Sequence, residues 1–204
     1  MDDEPAWGRG GAKPPPWRAE PGRSVFANPW VEVIEQPATA PTGRRVTYGV
    51  LRFRNLAVGV LPIHADGTVV LVGQQRFPLA AYSWEMPEGG APFDEDPLAG
   101  ARRELAEEAR LQAAVWRPAL ALELSNSISD ERARTWLAWD LSPAEGAPDE
   151  TEVLALARVP FRSLLAEAAA GRVRDAMTVA TALRAYHMAR EGELPPDLAR
   201  AMLG

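Results

Sequence analysis

Apolar and polar residues alternate along residues 30–34 (WVEVI) and 45–53 (RVTYGVLRF), the period of strands with one covered face. A turn at Pro41-Thr42-Gly43 joins them. Residues 57–63 and 68–72 read as apolar strands, and Asp66-Gly67 between them signals a hairpin. Gly89-Gly90, set between Pro87 and Pro92, predicts an irregular loop. Asp96-Pro97 then opens a helix running to about residue 109, with Asp96 as N-cap and Pro97 in the first helical position. Further strands are expected over 115–124, 133–141 and 153–159, with a polar loop at 142–150 and helices over 161–170 and 175–190. Strands with interspersed helices predict an α/β fold, a mixed sheet flanked by helices.

The same pattern divides the chain. Residues 1–22 hold many Gly and Pro without periodicity and read as a flexible arm, whose Trp7 and Trp17 suit docking onto the body or a second subunit. Residues 23–56 form an N-terminal β subdomain, 57–190 the main domain and 191–204 a C-terminal tail.

Composition narrows the chemistry. At 204 residues and 47% hydrophobic, the chain can bury a sizeable core. With 28 acidic against 22 basic residues, net −6, it lacks the basic footprint that nucleic-acid phosphates require. No apolar run is long enough to span a bilayer, and the start MDDEPAWGRG lacks a secretory pattern, so the expected compartment is the cytosol. The absence of cysteine fits that compartment and removes thiolate chemistry, while His64 and His187 alone make a His cluster a poor option. Lys13 is the only lysine; the scattered arginines read as coding bias, not as an anion-binding surface. Catalysis must therefore lean on carboxylates.

Those carboxylates are concentrated. Residues 85–108 contain eight acids against two bases, a net −6, so the rest of the chain is neutral. On the predicted helix, Glu104, Glu107 and Glu108 at i, i+3 and i+4 share one arc of about 100°. Arg103 and Arg110 can each reach Glu107, but neither neutralises Glu104 and Glu108 together. A hard divalent cation would, through oxygen ligands.

The residues around them carry a resemblance. Gly89, Glu95, Arg103, Glu104, Leu105, Glu107, Glu108 and Leu111 stand at the spacing of the Nudix hydrolase signature, with Arg110 in place of its closing glycine. That glycine would serve as a helix end with positive φ, so Arg110 predicts a small shift at the helix exit. The resemblance implies the Nudix fold, a mixed β-sheet sandwiched between α-helices (α/β/α) with an N-terminal β-strand subdomain.

From about residue 25 to 189 the chain is similar to the ADP-ribose pyrophosphatase branch, through Gln75-Arg76-Phe77, Trp84-Glu85-Met86-Pro87-Glu88-Gly89 and the turn Gly171–Thr178. This implies Mg²⁺, with Mn²⁺ as a possible substitute, held by the Glu88 carbonyl, Glu104, Glu108 and Glu152. Glu107 is implied as a shared catalytic carboxylate and Glu150 as the general base, while Arg103 would buttress the helix. Arg76, Glu85 and Glu131 are implied to face the substrate, with Trp30 and Tyr48 stacking on the base from N-terminal strands exchanged within a homodimer. The expected reaction is cleavage of a nucleoside diphosphate sugar, a small molecule, with ADP-ribose going to AMP and ribose 5-phosphate. Ser125-Asn126-Ser127 stands where the branch often has Ser-Pro-Gly, which leaves other nucleotide sugars such as GDP-mannose open. Arg110 leaves open a domain that senses a nucleotide sugar without cleaving it.

Overall fold

The structure, a computed structural model, describes residues 5–8, 11–147 and 153–204. The chain divides into two compact units, residues 1–53 with 127–130, and residues 54–126 with 131–204.

In the first unit, strands β1 (Arg18–Ala19), β2 (Arg23–Ala27), β3 (Val31–Thr39) and β4 (Arg45–Phe53) form an antiparallel sheet in which β3 pairs with the other three. The β3–β4 turn falls at the predicted Pro41-Thr42-Gly43, with Gly43 at φ 87°. Arg18 and Ala19 pair with Thr39 and Ala38, so the arm expected to be flexible contributes a short strand. Among the described residues of this unit only Ala38 is buried, and Phe26 and Trp30 are exposed.

The second unit holds two hydrogen-bonded sheets where a single one was expected. They use β5 (Asn55–Pro62), β6 (Thr68–Arg76), β7 (Ala81–Glu85), β8 (Glu88–Pro92), β9 (Leu111–Glu123), β10 (Arg132–Pro143) and β11 (Ala155–Pro160). One sheet has the order β8-β5-β10-β9, the other β11-β6-β7, and β5–β10 is the parallel pair. Helices α1 (Pro97–Ala109), α2 (Phe161–Ala169), α3 (Ala176–Arg190) and α4 (Pro196–Leu203) complete it.

The period of two in β5 explains the layering. Val58 and Val60 pack with Ala101 and Leu105 of α1, whereas Leu61 packs with Met177, Ala182 and Met188 of α3. In β10, Trp136 and Ala138 take the α1 side and Ala133 and Leu137 the α3 side. This is the predicted α/β fold, a mixed β-sheet arrangement between helices. Each fully buried Val or Leu here contributes about 1.5–3 kcal/mol.

Two expectations are corrected. The expected glycine loop around 89–90 is strand β8, paired antiparallel with β5. Glycine is required there by close approach, not by turning (see below). The expected tail at 191–204 contains α4, which buries Leu198, Ala199 and Met202. It lies so near the β5–β6 turn that a Cβ on Gly67 would come within 2.0 Å of the Ala201 carbonyl oxygen. Strand β9 runs through Pro118, which the edge position beside β10 and a bulge at Thr135/Trp136 accommodate.

The start signal of α1 holds, whereas the shift expected at its exit is not seen. Asp96 accepts a hydrogen bond from the Leu98 N–H, and Asp175 caps α3 by accepting from Thr178. Arg110 ends α1 in the left-handed conformation, φ 54° and ψ 39°, where the signature has glycine. An L-residue pays a steric cost there. Arg110→Gly should therefore stabilise the protein by about 1 kcal/mol, raising Tm by roughly 2–4 °C in a thermal melt; an unchanged or lower Tm would show that the arginine side chain offsets the backbone cost.

Candidate active site

Helix α1 sets the acidic side of the site. Glu104 and Glu108, one turn apart, are both buried, while Glu107 is about one-third exposed. Arg103 ties the group together. Its Nη1 donates to Glu104 Oε1 at 2.8 Å and to Glu107 Oε2 at 3.0 Å, and its Nη2 donates to the Gly90 carbonyl at 2.8 Å. Glu95 stands 3.7 Å away. The expected buttress is thus observed and extends to the neighbouring strand. Burial pulls the guanidinium pKa down, but Glu104 and Glu107 outweigh it and hold it above the ordinary arginine value.

Strand β8 brings its backbone onto these carboxylates. The Glu88 N–H donates to Glu108 Oε2 at 2.9 Å, and a Cβ on Gly89 would lie 2.4 Å from the Glu104 carboxylate. Only a residue without a side chain allows that approach. The segment leading into β8 is fixed from α3, whose Thr178 hydroxyl accepts from the Met86 N–H.

On the other side, Arg76 at the end of β6 donates Nε and Nη2 to Glu85 at 3.0 and 2.5 Å, and Nη2 also reaches Glu88 at 3.4 Å. Glu85 is buried, and the bidentate fork satisfies it. Glu88 is less well served. Its Oε2 is buried without a hydrogen-bond partner among the described residues. Burial first, then the charges of Asp175 and Glu85, push its carboxyl well above the usual range despite Arg76.

Arg76, Glu85, Glu88 and Glu131 all line one cleft of about 1080 Å³, with Gly89, Tyr82, Glu123, Ser125, Arg174 and Asp175. The structure thus brings together four of the predicted substrate and metal positions, with Glu104 and Glu108 reached through β8. Trp30 and Tyr48 belong to the first unit. Trp30 is two-thirds exposed; Tyr48 packs edge-on against Trp17 and donates its hydroxyl to the Ser127 carbonyl. Glu150 and Glu152 lie outside the described residues.

Sequence reasoning missed Arg174, Asp175, Tyr82 and Glu123 as cleft residues. Asp175 carried a signal, but only as a helix cap; nothing in the pattern tells a cap that faces solvent from one that faces a cleft.

Burial also holds the Glu131 carboxyl above its ordinary value of 4.5. Its protonated form is favoured by folding, so its contribution to stability is present below that value and lost as pH rises through the shifted pKa. Glu131→Gln should accordingly be more stable than wild type at pH 7, with the difference closing towards pH 4. Melts across pH check this, and a gap that widens on acidification would contradict the sign.

The donor set suits a hard divalent cation. Glu104 and Glu108 are buried oxygen donors against a strand backbone that a Cβ would exclude, and one oxygen of Glu88 lacks a partner among the described residues. Among the described residues no three acidic or His side chains form a ready-made ligand cluster.

A family model described as NUDIX domain matches residues 53–180. The chain belongs to the Nudix family. Within it, this is a pyrophosphohydrolase enzyme resembling the ADP-ribose pyrophosphatases. It is 28% identical over 144 residues to ADP-ribose pyrophosphatase of Mycobacterium tuberculosis (strain ATCC 25618 / H37Rv), covering 69% of each chain. To ADP-ribose pyrophosphatase of Bacillus subtilis (strain 168) it is 28% identical over 156 residues, covering 76% of this chain and 84% of that one. A crystal structure of an ADP compounds hydrolase shares the fold at TM-score 0.80, covering 90% of this chain and 100% of the other, with 19% identity. Nudix hydrolases generally use divalent metal ions, in keeping with the carboxylates above. No described helix is long and apolar enough to cross a membrane.

Proposed function

We propose that this Nudix enzyme cleaves the diphosphate bond of a nucleoside diphosphate sugar, with ADP-ribose the first candidate and AMP and ribose 5-phosphate the products. The observation that carries this reading is the cleft itself, where the fixed Arg76–Glu85–Glu88 group meets the backbone that covers Glu104 and Glu108. Two curated relatives bear the name ADP-ribose pyrophosphatase, which supports the substrate.

The Glu88 carbonyl and the carboxylates of Glu104 and Glu108 would hold Mg²⁺, or Mn²⁺ in its place. When bound, such an ion supplies an acidified water and offsets charge on the phosphate oxygens. The protein's own residues do the rest. Glu150 takes the proton of the attacking water and Glu152 adds an oxygen ligand, both assigned through the resemblance. Glu107 holds Arg103, which keeps Glu104 oriented. Arg76, aligned by Glu85, turns its remaining N–H groups to the diphosphate, and Glu131 faces the sugar side.

A second reading, hydrolysis of another nucleotide sugar such as GDP-mannose, is favoured by Ser125. This residue lines the cleft with φ 49° in the turn that departs from the branch pattern. The test is phosphate release from a panel of nucleotide sugars in Mg²⁺ with added phosphatase. ADP-ribose should give the highest kcat/KM. A higher value for GDP-mannose selects the second reading, and tight binding without turnover makes the protein a sensing domain.

A homodimer completes the proposal. The first unit's sheet buries only Ala38 among its described residues and needs cover for Phe26, Trp30 and its other exposed apolar side chains. A second copy would provide it and bring Trp30 and Tyr48 to the base. The compartment is the cytosol, supported by the absence of cysteine. The acidic balance supports a small-molecule substrate over nucleic acid.

A further inference from the structure

Two arginines line the cleft, and they differ in what they touch. Arg76 is committed: Nε and Nη2 are given to Glu85 and Glu88, and its side chain is about one-third exposed. Arg174 is exposed and has no hydrogen bond or ion pair among the described residues. It stands beside Asp175, the cap of α3, whose charge is felt at both Glu88 and Arg76. Its nearest arginine in sequence, Arg172, is by contrast bound to Glu167 and does not line the cleft.

The charge balance of the cleft gives this difference a consequence. Five carboxylates line it (Glu85, Glu88, Glu123, Glu131 and Asp175) against two guanidinium groups, one of them already paired with Glu85. A diphosphate, with a negative charge on each phosphorus, is repelled by such a wall unless cations meet it. A divalent ion at the carboxylate side offsets part of this. Among the described lining residues, Arg174 is the one cation without a carboxylate partner. An exposed guanidinium in water also has its donors available, and its planar fork matches two phosphate oxygens.

We infer that Arg174 is a substrate-binding residue that grips the non-bridging oxygens of the diphosphate. The inference rests on the nucleoside diphosphate sugar reading above. It assigns Arg174 to binding and leaves the chemical step to the carboxylates. Removing it therefore raises KM, because an interaction made in both ground and transition state is lost, and leaves kcat nearly unchanged.

The experiment compares wild type with Arg174→Ala, Arg174→Lys and Arg172→Ala at fixed Mg²⁺. It reads kcat and KM for ADP-ribose, Kd for the non-hydrolysable α,β-methylene analogue of ADP-ribose by calorimetry, and Tm. Arg174→Ala should raise KM and Kd by about tenfold with kcat within about twofold. Its Kd should also depend less steeply on salt than that of wild type. Arg174→Lys should recover part of the affinity, since it keeps the charge and loses the fork, and Arg172→Ala should bind like wild type.

If wild type binds the analogue and Arg174→Ala binds it equally well, the inference is overturned while the substrate reading stands. A fall in kcat at unchanged KM, or a lowered Tm with unchanged Kd, overturns it too. If wild type neither binds the analogue nor turns over any nucleotide sugar, the substrate reading fails and takes the inference with it.

Discussion

Glu108→Gln should lower kcat by at least about a hundredfold while the protein still folds and melts near the wild-type temperature. Glutamine keeps the shape of the side chain, and its carbonyl oxygen can still accept the Glu88 N–H that Glu108 Oε2 accepts at 2.9 Å. What it loses is the negative charge that a divalent cation needs from a buried oxygen donor. Glu104→Gln should behave alike, with a smaller margin for stability because one of the two hydrogen bonds that Arg103 Nη1 makes on α1 then goes to a neutral amide oxygen in place of a carboxylate. Steady-state kinetics over a metal titration, with circular dichroism as the folding control, decides the matter. Activity near wild type in either variant would remove these residues from the metal site.

Gly89→Ala should be nearly as damaging, although it removes no charge. The new methyl would lie 2.4 Å from the Glu104 carboxylate, far inside van der Waals contact. Relief must come from that carboxylate, held by Arg103, or from strand β8, held by β5. Either movement parts the backbone from the carboxylates, so activity should fall by about two orders of magnitude, as misplacements of about 1 Å do. Gly90→Ala is the control. Its methyl would meet the Asn55 amide at 3.1 Å, a group at the end of a side chain, and lies outside the contact with Glu104. Equal losses in the two variants would mean that glycine serves the strand in general and not the approach to α1.

The pair also shows what could be read in advance. Hydrophobic period placed β5, β6, β10 and the three predicted helices, because buried faces repeat every two or 3.6 residues. The cap at Asp96 was legible since it is settled within four residues of chain. Gly89-Gly90 misled. Local rules treat glycine as a turn residue, yet here it is a strand residue chosen by a helix that begins eight positions later. Helix α4 was missed because two turns with three buried residues make a weak periodic signal against the preceding prolines.

By itself the sequence determined the chemistry available: no thiols, two histidines, and a net −6 gathered between residues 85 and 108 with Glu104, Glu107 and Glu108 on one helix. Such facts depend on residue type and short spacing alone. Only the tertiary structure decided how those charges are used. It divided Glu104 and Glu108, buried against β8, from Glu107, which stays at the surface with Arg103. It paired Arg76 with Glu85 and left Arg174 unpaired among the described residues of the same cleft, although both are arginines at a boundary of an element. The reason is that burial and charge pairing depend on distances between segments far apart in the chain, and a carboxylate or guanidinium takes its role from what the fold places within a few ångströms of it.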